Sequence, residues 1–203
     1  MKTLQWHSDE KATTQLKTWC RHAAQPGVLH TIFAERGDNV GFGWSELEPW
    51  TRSRAVTVAE ITSTILGSAL EVALCADLVY LQKGVELILA PGQPSAGLVW
   101  ALGRAGRAAL GRGLLDPAPM TVDEAVHLGL AQRVIEVGES PVVSDDASLV
   151  ALTTARDLMR SSVRGRSELE LASFRFLFAS GDPGEGAKAF FERRTPDFDR
   201  RKS

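Results

Sequence analysis

Apolar residues recur along this chain with two different periods, and the alternation between them predicts helices and strands in turn. From Asp9 to Ala24 they fall at Leu16, Trp19, Cys20 and Ala23, the i, i+3, i+4, i+7 spacing of one helix face. Pro26-Gly27 ends that helix, and Val28-Leu29-His30-Thr31-Ile32-Phe33 follows as a strand. A polar, glycine-studded loop from Glu35 to Trp44 runs into an acidic, Trp-bearing segment that ends near Arg54. Ala55 to Ile61 then reads as a second buried strand, and Ser68 to Ala76, short and rich in Ala and Leu, as a buried helix. Asp77 to Leu81 and Val85 to Leu89 read as strands on either side of Gln82-Lys83-Gly84.

In the second half, the loop from Ala90 to Ser95 leads into a helix over Leu98–Leu110, interrupted by Gly103 and Gly106. Thr121-Val122-Asp123-Glu124 is a capping-box pattern that opens a short helix through His127; Gly129 stops it, and Gln132 to Val137 reads as a strand. Gly138 to Asp146 is a linker rich in Ser, Pro and Asp. Beyond it the pattern is helical: Ala147–Ser161, Ser167–Ala179, and a helix from Asp182 onward with Pro183 at its first helical position. Strands alternating with helices, then helices alone, imply an α/β core over residues 1–140 and a C-terminal helical region over 141–203. There is no internal repeat.

Composition narrows the classes. At 203 residues the chain can bury roughly 70% of its unfolded surface in one core. With 44% hydrophobic residues and a net charge of -2, it is neither a disordered chain nor one that holds a polyphosphate by bulk charge. Nucleic acid and membrane are therefore not expected partners. The two cysteines, Cys20 and Cys75, make no disulfide framework and no metal spacing, and both read as inert buried thiols. No signal-peptide core or membrane span is visible, so a cytoplasmic location is expected. His7, His22, His30 and His127 lie near no nucleophile motif, and no G-x-S-x-G elbow is present. The arginines of Gly103-Arg104-Ala105-Gly106-Arg107 and Gly111-Arg112-Gly113 match no phosphate-binding fingerprint and read as solvated.

The stretch richest in chemistry is Ile65 to Tyr80. A Gly67-Ser68-Ala69 turn opens a buried helix whose one acid in the first two turns is Glu71. A helix start offers unpaired N–H groups and a positive dipole end, which can hold a carbonyl oxygen that becomes an oxyanion. A carboxylate one turn further on could serve as general acid or base. Ser68-x-x-Glu71 is equally a capping box, in which Glu71 would only reach back to Ser68; the same pattern recurs at Ser45–Glu48 and Ser167–Glu170. Both readings stand on spacing alone.

The run Leu66-Gly67-Ser68-Ala69-Leu70-Glu71-Val72-Ala73-Leu74-Cys75-Ala76-Asp77 resembles the Ala-Leu-Gly-Gly-Gly-x-Glu-Leu-Ala-x-x-x-Asp signature of the crotonase (enoyl-CoA hydratase/isomerase) superfamily. Further stretches keep register with it. Pro94-Ser95-Ala96-Gly97, followed by Leu102-Gly103-Arg104-Ala105-Gly106, resembles the family's Pro-x-x-Gly-Gly…Leu-x-Arg-x-x-Gly. Thr121 to Ala131 resembles its Ala-x-Glu-Ala-x-x-x-Gly-Leu-Val turn, and Gly184 to Phe198 its Glu-Gly-x-x-Ala-Phe-x-Glu-Lys-Arg-x-Pro-x-Phe tail. The chain is identified on this resemblance as a shortened, atypical member.

The resemblance implies a spiral of ββα units followed by a C-terminal helical region that forms trimers or hexamers. It implies a lyase or isomerase acting on an acyl thioester, in polyketide or fatty-acid metabolism, with CoA or phosphopantetheine arriving as part of the substrate and no permanently bound cofactor or metal. Its oxyanion hole would use the backbone N–H groups of Ser68, shaped by Gly67, and of Trp44, since Val40-Gly41-Phe42-Gly43-Trp44-Ser45 is similar to Phe-x-x-Gly-Ala-Asp. As a sequence, that loop reads equally as a surface turn with a docking Trp. Arg193 and Arg194, in a basic tail with Arg200, Arg201 and Lys202, become candidates for contact with CoA or a carrier.

One departure matters for chemistry. The family's second glutamate belongs to a Pro-Glu-x-x-x-Gly loop, and here Leu89-Ala90-Pro91-Gly92-Gln93-Pro94 holds no acid. Glu60, Glu86 and Gln93 are replacements by proximity in sequence only. Hydration or dehydration is the first expected reaction, decarboxylation or isomerisation the next, and an inactive accessory protein of a biosynthetic enzyme the rival.

Overall fold

The computed structural model describes residues 2–37, 41–89, 95–116, 118–141, 148–160, 175–176 and 178–198. The chain divides into two compact units, residues 1–141 and 142–203. The first is an α/β unit. Five parallel strands form its main sheet: β1 (Lys2–Gln5), β2 (Val28–Phe33), β3 (Val56–Ile61), β5 (Leu78–Gln82) and β8 (Arg133–Ile135), in the order β1-β2-β3-β5-β8. A smaller sheet holds β4 (Ile65–Leu66), β6 (Glu86–Ile88) and β7 (Met120–Thr121) in the order β4-β6-β7. Its helices are α1 (Ala12–Ala23), α2 (Trp44–Thr51), α3 (Gly67–Leu74), α4 (Ala96–Ala105), α5 (Arg107–Leu115) and α6 (Val122–His127).

Every residue of β3 is buried, as befits a central strand of a parallel sheet covered on both faces. On one face Phe33, Ala59, Ile61, Val79 and Leu81 join the main core with Leu16, Trp19 and Ala23 of α1. An aromatic cluster anchors it: the Trp6 ring stacks on Phe33 at 5.8 Å, and Trp19 meets Trp6, Phe33 and Trp50 at 5.6, 5.5 and 5.9 Å. Trp50 also donates its Nε1–H to the Val72 carbonyl at 3.0 Å, which fixes α2 against α3. On the opposite face of the sheet, His30 and Glu60 sit side by side, buried, with Nε2 and Oε2 2.8 Å apart.

Several expectations need adjustment. The acidic segment before Arg54 is the helix α2, although Pro49 lies inside it. Strand β1 carries an exposed, polar pattern with no alternation to mark it. The strands on either side of Lys83-Gly84 do not pair with each other; β5 joins the main sheet and β6 the small one. The expected Leu98–Leu110 helix is two, broken at Gly106, whose φ of 111° the L side chains avoid. Arg112 is no solvated arginine: its side chain is largely buried, donating to both Glu124 carboxylate oxygens and to the Asp116 and Ala118 carbonyls, so it ties α5 to α6.

In the second unit, α7 (Leu149–Arg160) and α8 (Asp182–Glu192) are described; Pro183 is the second residue of α8, one position after the expected first, where its missing N–H still costs no helical bond. Of the helix expected over Ser167–Ala179, only residues 175–176 and 178–179 fall among the described ones, and these are helical. The linker residues 142–146, and Arg200, Arg201 and Lys202, lie outside the described residues.

Candidate functional site

The site is built where α3 passes between the starts of α2 and α4. Leu66 is the N-cap of α3 and Gly67, at φ 57°, its first residue, a left-handed conformation that glycine adopts without strain. Ser68 is therefore the second residue of the helix, not its cap, and the Ser68–Glu71 pair is not arranged as a capping box. Both are buried, Ser68 at 1% and Glu71 at 4% exposure.

Glu71 turns its carboxylate toward the loop before α2, where Oε2 accepts the backbone N–H of Phe42 at 3.1 Å. Glycines enclose it on two sides. A Cβ on Gly41 would stand 2.6 Å from Glu71 Oε1, and one on Gly97 would stand 2.9 Å from Oε2 and overlap Leu47 Cδ2. Both distances are shorter than real Cβ contacts, so a side chain at either position would push its neighbours aside. On the other side of Glu71, Cys75 Sγ lies 3.6 Å from the Gly97 carbonyl and joins α3 to the first turn of α4.

Electrostatics follow from this placement. Phe42 precedes Gly43, the N-cap of α2, and Gly97 is in the first turn of α4, whose cap Ser95 accepts from Leu98 N–H at 3.3 Å. The positive ends of α2 and α4 thus converge on one buried carboxylate, and α3 begins one turn before it. In the α2 start, Glu46 reaches back to the Gly43 N–H at 3.0 Å and shapes the turn that presents Trp44. Gly37, from the loop after β2, lies so close to the α3 start that a Cβ there would sit 2.6 Å from Ala69 N. Such a cluster of helix starts can hold negative charge that develops on a ligand oxygen.

Trp44 is the first residue of α2 and is 40% exposed, its ring against that of Trp100 with centroids 6.3 Å apart. Of the residues singled out in the sequence, Gly67, Ser68, Glu71 and Trp44 therefore sit on the two helix starts around one carboxylate. Glu60 is on the far face of the sheet beside His30, and Glu86 is exposed on β6. Gln93 and the loop residues 90–94, and Val40, lie outside the described residues. In the second unit Arg194 is held by Glu185 and Glu192, each at 2.6 Å, while Arg193 is exposed at the αL end of α8. Among the described residues no group of His, Cys, Asp and Glu could hold a metal ion, and no helix is long and apolar enough to cross a membrane.

Phe42, Gly41 and Gly97 are the site residues that sequence reasoning missed. A backbone donor leaves no mark in sequence, but two glycines opposite a buried acid do.

No protein-family model and no curated protein matches the sequence. Solved structures do match in shape. An enoyl-CoA hydratase from Bacillus anthracis superposes with a TM-score of 0.77 at 16% identity, covering 97% of this chain and 94% of that one. An enoyl-CoA hydratase/isomerase family protein from Hyphomonas neptunium gives 0.75 at 19%, covering 98% and 94%. An enoyl-CoA hydratase/carnithine racemase from Magnetospirillum magneticum gives 0.74 at 18%, covering 97% and 91%. An α/β frame with a parallel main sheet, shared over nearly the whole length of these proteins, makes the chain a protein of the crotonase fold.

Proposed function

We propose that the chain processes an acyl thioester carried by CoA or by a phosphopantetheine arm, with the backbone N–H groups of Trp44 and Ser68 polarising the thioester carbonyl. The observation that carries this reading is the convergence of the α2 and α4 N-termini on Glu71, one turn from the start of α3. Negative charge moving onto the carbonyl oxygen would meet oriented N–H groups in a site largely closed to water, the arrangement that usually supplies the largest catalytic term. Glu71 is the group placed to take or return a proton, and Gly67 lets the chain turn into α3 beneath it. Hydration or dehydration and double-bond isomerisation lead the reaction types. Decarboxylation needs only the polarised carbonyl and suits a site with one carboxylate. Among the described residues of the basic tail, Arg193 is exposed while Arg194 is ion-paired, so Arg193 is the candidate to meet a carrier phosphate. Exposed phenylalanines at 176, 178, 190 and 191 support self-association of the second unit as a trimer or hexamer.

The test is incubation of the protein with 2-enoyl, 3-enoyl and 2-carboxyacyl CoA thioesters, followed by product analysis. Consumption of one of them, lost in Glu71→Gln, supports the reading; no consumption and no binding would overturn it.

A second reading is an accessory protein with no turnover of its own. The enclosure of Glu71 favours it, since the carboxylate is 4% exposed and already accepts the Phe42 N–H. Under this reading Glu71→Gln leaves a partner-coupled assay unchanged.

A further inference from the structure

Gly97 and Glu71 mark the near end of a row of side chains along one face of α4. By the helical period, Gly97, Trp100, Ala101 and Arg104 share that face. Seven residues at 1.5 Å each put Arg104 about 10 Å along the axis from the level of the carboxylate. Trp44 enters the row from α2, its ring tilted 41° to that of Trp100. The Arg104 guanidinium lies over the Trp100 ring, 4.6 Å from the centroid. Trp44, Trp100 and Arg104 thus form a continuous ladder leading away from the first residue of α2.

Among the described residues the ladder meets no further partner. Trp44 and Arg104 are exposed and Trp100 half-buried. Among the described residues Arg104 has no carboxylate partner, whereas Arg112 and Arg194 are each held in ion pairs. A guanidinium stacked on an indole face keeps its N–H edge directed outward, the edge that grips a carboxylate with two parallel hydrogen bonds. Two indoles on the approach offer an apolar wall.

We infer that this ladder selects the acyl group: the edges of the Trp44 and Trp100 rings line one side of the chain, and Arg104 binds a carboxylate at its far end. The inference rests on the acyl-thioester reading above. The other anions of a thioester substrate, the carrier phosphates, lie beyond the long pantetheine arm. Arg104 stands only two helical turns from Gly97, the distance of an acyl chain.

Calorimetry with two hydrolysis-resistant CoA analogues of equal acyl length, one ending in a carboxylate and one in a methyl group, tests it. The carboxylate analogue binds roughly tenfold or more tightly to the wild type, the worth of a charged hydrogen bond. Arg104→Gln removes that preference and leaves the affinity for the methyl analogue unchanged; Arg104→Lys restores part of it. Equal binding of the two analogues by the wild type overturns the inference and leaves the thioester reading intact. A loss of affinity for CoA itself in Arg104→Gln also overturns it, since the arginine would then serve the carrier phosphate. Binding of neither analogue overturns both.

Discussion

The Glu71 carboxylate accepts the backbone N–H of Phe42 at 3.1 Å, so the acid of α3 holds in place the loop from which α2 starts. One bond thereby connects a candidate proton carrier to the turn that presents Trp44. The two functions of Glu71 are separable by substitution. Glu71→Gln keeps an acceptor for Phe42 and the shape of the site but loses the proton-carrying group. We expect a folded protein of near-normal stability, with turnover reduced roughly 10²- to 10⁴-fold. Glu71→Ala also leaves the Phe42 N–H without this acceptor, and urea unfolding should show a further loss of about 1–3 kcal/mol.

Gly97→Ala brings a methyl group against Glu71 Oε2 and Leu47 Cδ2 at once, so both buried side chains must shift to admit it. Overpacking of this kind costs about 1–3 kcal/mol, and thermal melting should register it. Gly103→Ala, on the same helix with nothing within 4 Å of the added carbon, is the control and should not destabilise.

Much of the fold could be read from residue pattern, because α1 and α6 each bury one regular face and β2 and β3 are short, largely apolar runs. The Thr121 cap is present as expected, accepting from Glu124 N–H at 3.3 Å. What escaped was either short or locally contradictory. Strands β4 and β7 have two residues each, too few to show a period. Helix α2 hides behind Pro49, whose missing N–H argues against a helix that burial of Leu47 and Trp50 nevertheless stabilises. For the site, Glu71, Ser68 and Gly67 were visible through motif resemblance. The Phe42 donor and the Trp44–Trp100–Arg104 ladder were not, since both arise from contacts between segments far apart in sequence.

In the second unit, Arg194 and the Asp197 N–H hold the Glu185 carboxyl down to about 2, against an ordinary 4.5. A depressed carboxyl pKa adds stability that is present in full above pH 4.5 and is lost as pH falls from there toward about 2. Arg194→Ala should return the Glu185 titration, followed by NMR, toward its ordinary value. An unshifted midpoint would show that the pair does not form in solution.

Burial pushes the Cys20 thiol up to about 11, and Cys75 is wholly enclosed between α3 and α4. At pH 8 roughly one Cys20 in a thousand is thiolate. Native protein should therefore resist iodoacetamide for hours, and both thiols should alkylate quickly in guanidinium chloride.

Phe190 and Phe191 are 79% and 82% exposed on α8. If they are covered by further copies of the chain, sedimentation equilibrium should find an oligomer that Phe190→Asp with Phe191→Asp converts to monomer. A monomeric wild type would remove these residues from any interface.

In the proposed reaction two backbone N–H groups, at the starts of α2 and α3, pull electron density from a thioester carbonyl. Isotope-edited infrared difference spectroscopy of a bound 2-enoyl-CoA analogue reads that polarisation directly. Polarisation by these groups lowers the carbonyl stretching frequency below that of the same analogue in water. A bound analogue whose carbonyl frequency equals or exceeds the value in water would contradict it.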